Sequence, residues 1–277
     1  MTGPIGLHGG GEYLAGDEPF LDALLTAAAA AAAARARSAA IADPRARPDE
    51  PDGLAGDVSG HGVPHVTPVV RVAIVPTAAA RSRPDLAAAT GRAAFERRAA
   101  ALALPVAVTV ARIVDAASAA DPHETEPIAA ADLVHLPGGD PDLLPAILPA
   151  SPALDALLAA WSGGAVVAGA SAGAMALAEW TWTPSGGIHG LGLVRGLAVV
   201  PHYDDVRRTS WQEQLDELAP GGIGYLGLDE RTGLLSRPDG SAGHAWRVVG
   251  AGAVSWFAHG AATPVIGHHG DVLALPI

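Results

Sequence analysis

"AVVAGASAGAMAL", residues 165–177, is the stretch on which the fold turns. Its first half is a short apolar run carrying Val166 and Val167, with the length and composition of a strand buried on both faces. Its second half, Ala174 to Leu177, consists of strong helix formers. Between them only small residues flank one hydroxyl: Gly169, Ala170, Ser171, Ala172 and Gly173 fit G-x-S-x-G, the pattern of a nucleophile elbow. The pattern has a steric cause. A chain that turns from strand to helix over residues 170–172 pushes its central residue into an unfavourable backbone region. It also brings strand and helix so close that only small side chains fit beside it. The hydroxyl of Ser171 then stands clear of the sheet, above a helix starting at Gly173 whose N-terminus favours developing negative charge. The competing reading is a packing turn of small residues with no chemistry.

Outward from this stretch, short runs rich in Val and Ile alternate with Ala-Leu segments of helical length. "RVAIVPT" (71–77) is followed by "RPDLAAATGRAAFERRAAAL" (83–102), then "PVAVTVARIV" (105–114), "AADLVHLPGG" (130–139) and "DLLPAILPASPALDALLAAWSGG" (142–164). The alternation predicts an α/β fold: a doubly wound, mostly parallel sheet with helices on both faces, in a single domain spanning 1–277. Ligands of such sheets collect at the carboxyl ends of the strands, which directs attention to the loops after "VAIVPT", "LVHLPGG" and "VVAGA". Residues 36–68 are rich in Pro, Gly, Asp and Arg and lack apolar periodicity, so they are expected to form a mobile surface insertion. The carboxyl part, from "GLAVV" to "DVLALPI", reads as short strands separated by Gly turns.

Composition removes several classes of chemistry. With no cysteine among 277 residues, disulfides, zinc-thiolate sites, iron-sulfur clusters and a thiol nucleophile are excluded. A formal charge of −12 and the lack of any basic run argue against nucleic acid or an anionic membrane as partner. The alanine tract at 27–34 is too short for a membrane span. "MTGPIGLHGGGEYLAG" lacks the basic start and apolar core of a secretory signal, so a cytoplasmic protein is expected. His61 and His65, within the insertion, have no further metal ligands beside them. No metal and no cofactor is expected.

A serine hydroxyl becomes nucleophilic only when a base takes its proton and an acid holds that base in the right tautomer. Of eleven histidines, His202 in "LAVVPHYDDVRR" directly follows an apolar strand and so falls at the sheet edge. His135 lies inside the strand "LVHL" and reads as a buried, structurally bonded residue. His268 and His269 read as a solvated pair in a turn. For the acid, "GYLGLDERTGLL" offers Asp229 and Glu230 after another strand, unless this is an ordinary hairpin turn. In "LPGGDPDLL" two glycines follow a strand, so the N–H groups of Gly139 and Ala172 are candidates for an oxyanion hole. A phosphate loop is the rival there; it fails because the chain has no Lys and this loop lacks the G-x-G-x-x-G spacing.

With these residues assembled, the sequence resembles the dipeptidase E and cyanophycinase family of serine peptidases. The resemblance is carried by "GLHGGGE" (6–12), "VAIVPTAA" (72–79), "ADLVHLPGGDPDLL" (131–144), "GAVVAGASAGAMAL" (164–177), "VVPHYDD" (199–205) and "GLDERTGLL" (227–235). It implies a fold similar to class I glutamine amidotransferases, flavodoxin-like in its winding, with serine in place of their cysteine. It also implies a triad of Ser171 as nucleophile, His202 as base and Glu230 as orienting acid, with Gly139 and Ala172 as oxyanion donors. The chain departs from the cyanophycinase pattern at the substrate-choosing segment, where Val200 and Pro201 precede His202 and Val206 stands in an arginine position. "PHYD" is closer to the dipeptidase branch, which cleaves after an amino-terminal aspartate. Arg207 or Arg208 would suit bidentate pairing with such a carboxylate, and Asp140 is a further candidate substrate contact. The expectation is therefore a hydrolase of small peptides, an aspartyl dipeptidase-like serine peptidase working through an acyl-enzyme, with a homodimer among the expected states. A cyanophycinase-like hydrolase, an esterase and a non-catalytic amidotransferase-like binding module are the alternatives.

Overall fold

The computed structural model describes residues 2–42, 67–204, 213–215, 217–237 and 245–275. In chain order, β1 (Ile5–His8) leads into α1 (Glu18–Ala42). Then follow β2 (Val70–Ile74), α2 (Pro84–Ala101), β3 (Val106–Val110), α3 (Pro122–Ala129), β4 (Leu133–Leu136), α4 (Leu143–Ile147) and α5 (Pro152–Ser162). β5 (Val166–Ala170) runs into the short α6 (Ala172–Leu177), followed by a hairpin, β6 (Trp180–Thr183) and β7 (Gly186–His189). The remainder is strand-rich: β8 (Leu197–Val200), β9 (Gly224–Leu228), β10 (Thr232–Ser236), β11 (Ala245–Gly250), β12 (Val254–Phe257), β13 (Val265–Gly267) and β14 (Val272–Ala274).

The main sheet has the order β14-β11-β10-β1-β5-β4-β2-β3. From β1 to β3 every pair is parallel, while β10, β11 and β14 extend it antiparallel. Strand residues alternate between two cores as the two-residue period requires. Val72 and Ile74 face one core with Phe20, Leu24 and Phe95 from α1 and α2, whereas Ala73 and Val75 face the other with Leu144, Leu157 and Met175 from α4, α5 and α6. Helices thus cover both faces, as the alternating pattern predicts. Leu24 and Leu25 are fully buried on α1, each contributing about 1.5–3 kcal/mol relative to exposure. A second sheet, β13-β12-β9-β8, shares the α4–α6 core through Leu226, Leu228 and Val254.

Residues 36–42, the first part of the segment expected to be a mobile insertion, belong to α1. α1 continues to Ala42, because residues 36–41 are mostly good helix formers and no breaker intervenes before Asp43-Pro44, whose proline disfavours helix at the preceding residue. The buried Asp132 also holds this helix, accepting from Arg35 Nη2 at 3.0 Å and from the Arg71 N–H at 2.9 Å. Residues 43–66, with His61 and His65, lie outside the described residues. α1 is also long and apolar enough, by length and composition, to cross a membrane. Its buried side chains Leu21, Leu24, Leu25, Ala28 and Ala32 form a stripe with helical spacing that faces the protein.

Candidate active site

Every part of the site begins at a strand end. β5 ends at Ala170 and α6 starts at Ala172, so the whole reversal falls on Ser171, with φ 49° and ψ −115°. Such a conformation costs about 1–3 kcal/mol in a residue with a Cβ and persists only where its surroundings enforce it. Here the Ser171 N–H donates to His8 O at 2.9 Å and its carbonyl accepts from Met175 N at 3.0 Å. The flanking glycines have the steric role their positions predict: a Cβ on Gly169 would strike the backbone of Gly173, and a Cβ on Gly173 would strike the carbonyl of Leu136. The turn sits where β5, α6 and β4 cross.

His202 arrives from the second sheet. After β8 the chain turns at Pro201, and His202 adopts a positive φ of 51°. Its N–H donates to Gly9 O at 2.8 Å and the next N–H, of Tyr203, donates to Leu228 O at 3.0 Å. The Tyr203 ring is buried over Gly227, edge-on to Phe257. With its backbone fixed on both sides, His202 places Nε2 3.0 Å from Ser171 Oγ and Nδ1 2.8 Å from Glu230 Oε1. An ionised carboxylate only accepts, so Nδ1 carries the proton and the Nε2 lone pair faces the hydroxyl, the tautomer a base needs.

Glu230 follows β9, which pairs with β8 and β12, and precedes β10, which pairs with β1 and β11. The segment is therefore a crossing between sheets and not a hairpin. Its two acids are sorted by their partners. Asp229 Oδ2 accepts from the Ala253 N–H at 2.7 Å, while Glu230 faces the imidazole and its own N–H donates to Asp204 Oδ1 at 3.1 Å.

The loop after β1 has a role that motif reading missed. A Cβ on Gly10, which has φ +109°, would lie 2.7 Å from His202 Nε2 and 2.9 Å from Nδ1; one on Gly11, with φ +69°, would lie 3.3 Å from Glu230 Oε2. A Cβ on Gly9 would run into the Leu228 and Asp229 carbonyls. Gly10 and Gly11 make the floor under the imidazole and the carboxylate, and Gly9 lets the loop pack on the end of β9. The signal available in the sequence was "HGGGE" directly after an apolar strand, where a run of glycines implies close approach by another group.

Ala172 directly follows the serine and Gly139 follows Gly138, where a Cβ would lie 3.1 Å from Ser171 Cβ; neither the Gly139 nor the Ala172 N–H has a hydrogen-bond partner among the described residues. Gly139 is packed so closely on Ala78 that a Cβ would strike the Ala78 carbonyl. The preceding Gly138 N–H donates to Glu12 Oε1 at 2.8 Å. Asp140 is engaged by Arg81 at 3.1 Å and by the Asp142 N–H at 3.0 Å, so its carboxylate braces the start of α4. Arg207 and Arg208 lie outside the described residues. His135 is buried, hydrogen-bonded to Tyr13 Oη at 2.8 Å and edge-on to Phe95. Burial, with a smaller contribution from nearby His8, lowers its pKa to about 3. Burial also raises the Tyr13 pKa, helped by Glu12 and Asp17. The pair is neutral, as expected of a structural histidine. Among the described residues no group of three or more His, Asp or Glu is arranged to hold a metal ion.

A hydroxyl hydrogen-bonded to an imidazole that is itself hydrogen-bonded to a carboxylate has the nucleophile and base needed for acyl transfer. A crystal structure of a peptidase from an acI-B1 Actinobacterium superposes with a TM-score of 0.70 at 23% identity, covering 99% of this chain and 98% of that one, and so shares its fold. A peptidase E candidate from Listeria monocytogenes EGD-e gives a TM-score of 0.47 at 18% identity, covering 65% of this chain and 84% of that one. No curated protein matches the chain. The family model of Peptidase family S51 matches residues 66–240, most of the chain from β2 through β10. With that match, the chain belongs to peptidase family S51 and is a serine-type peptidase.

Proposed function

We propose that this serine peptidase hydrolyses small peptides in the manner of an aspartyl dipeptidase, through an acyl-enzyme on Ser171. His202 takes the Ser171 proton as the hydroxyl attacks the scissile carbonyl, and gives it to the leaving amine. Water, deprotonated by the same imidazole, then releases the acyl group. Glu230 holds the tautomer and stabilises the imidazolium, and the N–H groups of Gly139 and Ala172 receive the oxyanion. The observation that carries this reading is the hydrogen-bonded relay from Ser171 Oγ through His202 to Glu230, at 3.0 and 2.8 Å. Preference for a small, acidic substrate is supported by the "PHYD" segment, closer to the dipeptidase branch than to the cyanophycinase pattern.

Two measurements test it together. A fluorophosphonate probe is expected to label Ser171 in the wild type and not in His202→Ala. A library of dipeptides is expected to show hydrolysis by the wild type, strongest with aspartate first, and none by Ser171→Ala. Turnover retained in Ser171→Ala rules out the serine assignment, and a library in which aspartyl dipeptides are no better than others rules out the specificity.

A further inference from the structure

We infer that Glu12 is the residue that binds the free α-ammonium group of the substrate, so that the enzyme works only from an unblocked amino terminus. The inference rests on Ser171 acting as the acylated nucleophile. A Cβ on Gly138 would meet Glu12 Oε1 at 2.9 Å and Ser171 Cβ at 3.1 Å, so the carboxylate and the nucleophile border the same small space. Among the described residues the carboxylate accepts one hydrogen bond, from the Gly138 N–H, and no Arg or His forms an ion pair with it.

Its position is enforced. Immediately after it, Tyr13 has a positive φ of 69°, donates its N–H to Asp17 Oδ2 at 2.8 Å and shares its hydroxyl with the buried His135. Gly91 makes room for that hydroxyl, since a Cβ there would lie 2.8 Å from it. These contacts fix the backbone on one side of Glu12, and the Gly138 N–H fixes its carboxylate.

A negative charge beside the nucleophile works against the reaction unless something answers it, because the attacked carbonyl oxygen becomes an anion a few ångströms away. Neutralisation by the substrate resolves the conflict. When the bond after a first residue is cleaved, its ammonium group is attached to the carbon next to the attacked carbonyl, so a cation arrives beside that carbonyl with every unblocked substrate. An acylated amino terminus brings no cation and leaves the repulsion in place, so the same carboxylate both attracts the right substrate and rejects the wrong one.

The test compares each cleaved dipeptide with its N-acetyl counterpart. The wild type is expected to prefer the free amine by more than about tenfold in kcat/KM, and Glu12→Gln, which keeps the acceptor for Gly138 but loses the charge, to bring that ratio close to one, mainly through a KM about 10- to 100-fold higher on the free amine. Glu12→Asp, which keeps the charge, retains a ratio above one. A wild type that does not distinguish the two forms overturns the proposal. So does a Glu12→Gln variant in which both rates fall together, which would leave Glu12 only a brace for Gly138. Fluorophosphonate labelling run in parallel separates the levels: labelling of Ser171 with no amine preference sinks the Glu12 assignment alone, whereas absent labelling of the wild type sinks the nucleophile beneath it.

Discussion

Gly10 and His202 are in contact face to ring: a Cβ on Gly10 would lie 2.7 Å from Nε2 and 2.9 Å from Nδ1 of the imidazole. Gly10→Ala therefore has two costs, a strained φ of +109° and displacement of the ring. It is expected to lower kcat/KM by about 10²-fold or more, since a shift of about 1 Å in a reacting group suffices for that. Circular dichroism should show the fold retained while fluorophosphonate labelling slows in parallel; undiminished labelling would mean that the ring does not rest on the loop.

Ser171 and His202 share one hydrogen bond in the relay, so their removal is not expected to add. Ser171→Ala and His202→Ala should each lower kcat by about 10⁴- to 10⁶-fold, and the double variant should be within about tenfold of either single one. Single-turnover assays on one dipeptide check this, and losses that multiply would show two independent contributions.

Glu230 holds Nδ1 from a backbone fixed by Asp204. In Glu230→Gln the size is kept and the charge is lost, so kcat should fall by about 10²- to 10⁴-fold with KM changed less than about threefold. Asp204→Asn, which keeps an acceptor for the Glu230 N–H, should cost less than about tenfold. Steady-state kinetics on the two variants distinguish them, and an unaffected Glu230→Gln would move suspicion to another acid.

His135 predicts an acid weakness of the fold. Its pKa is lowered from 6.5 to about 3 by burial, so between those values the unfolded chain binds a proton that the folded chain does not. Stability therefore falls as pH drops through this window, by at most about 1.4 kcal/mol per pH unit from this group. Urea unfolding at pH 7 and pH 4.5 is expected to show a smaller pH effect in His135→Gln than in the wild type, and equal pH effects would contradict it.

Much of this was legible in the sequence because it is local. The Ser171 turn needs glycine at 169 and 173 for reasons of contact within one strand-turn-helix unit, and His202 follows its strand by two residues. The parallel sheet was readable from short Val- and Ile-rich runs that alternate with Ala-Leu segments of helical length. What could not be read depends on contacts between segments far apart in the chain. Local sequence leaves Asp229 and Glu230 equivalent and only the family resemblance picks Glu230; the physical distinction is that Ala253 engages one and His202 the other. Nothing near Gly10 in the sequence says that an imidazole from residue 202 will rest on it. Residues 36–42 are helical although a Pro- and Gly-rich segment follows them in the sequence, and the Arg35–Asp132 pairing that secures this helix joins residues nearly a hundred apart.

The nucleophile is delivered by the parallel sheet and its base by the smaller one, so the proton route straddles the seam where the two meet. We expect that seam to yield on warming before either sheet melts. Warming that lets the layers slip by an ångström lengthens the Ser171–His202 hydrogen bond while both remain fully formed. Thermal inactivation should accordingly precede the loss of ellipticity, and a tight acyl-enzyme analogue bridging the two sides should bring the two temperatures together.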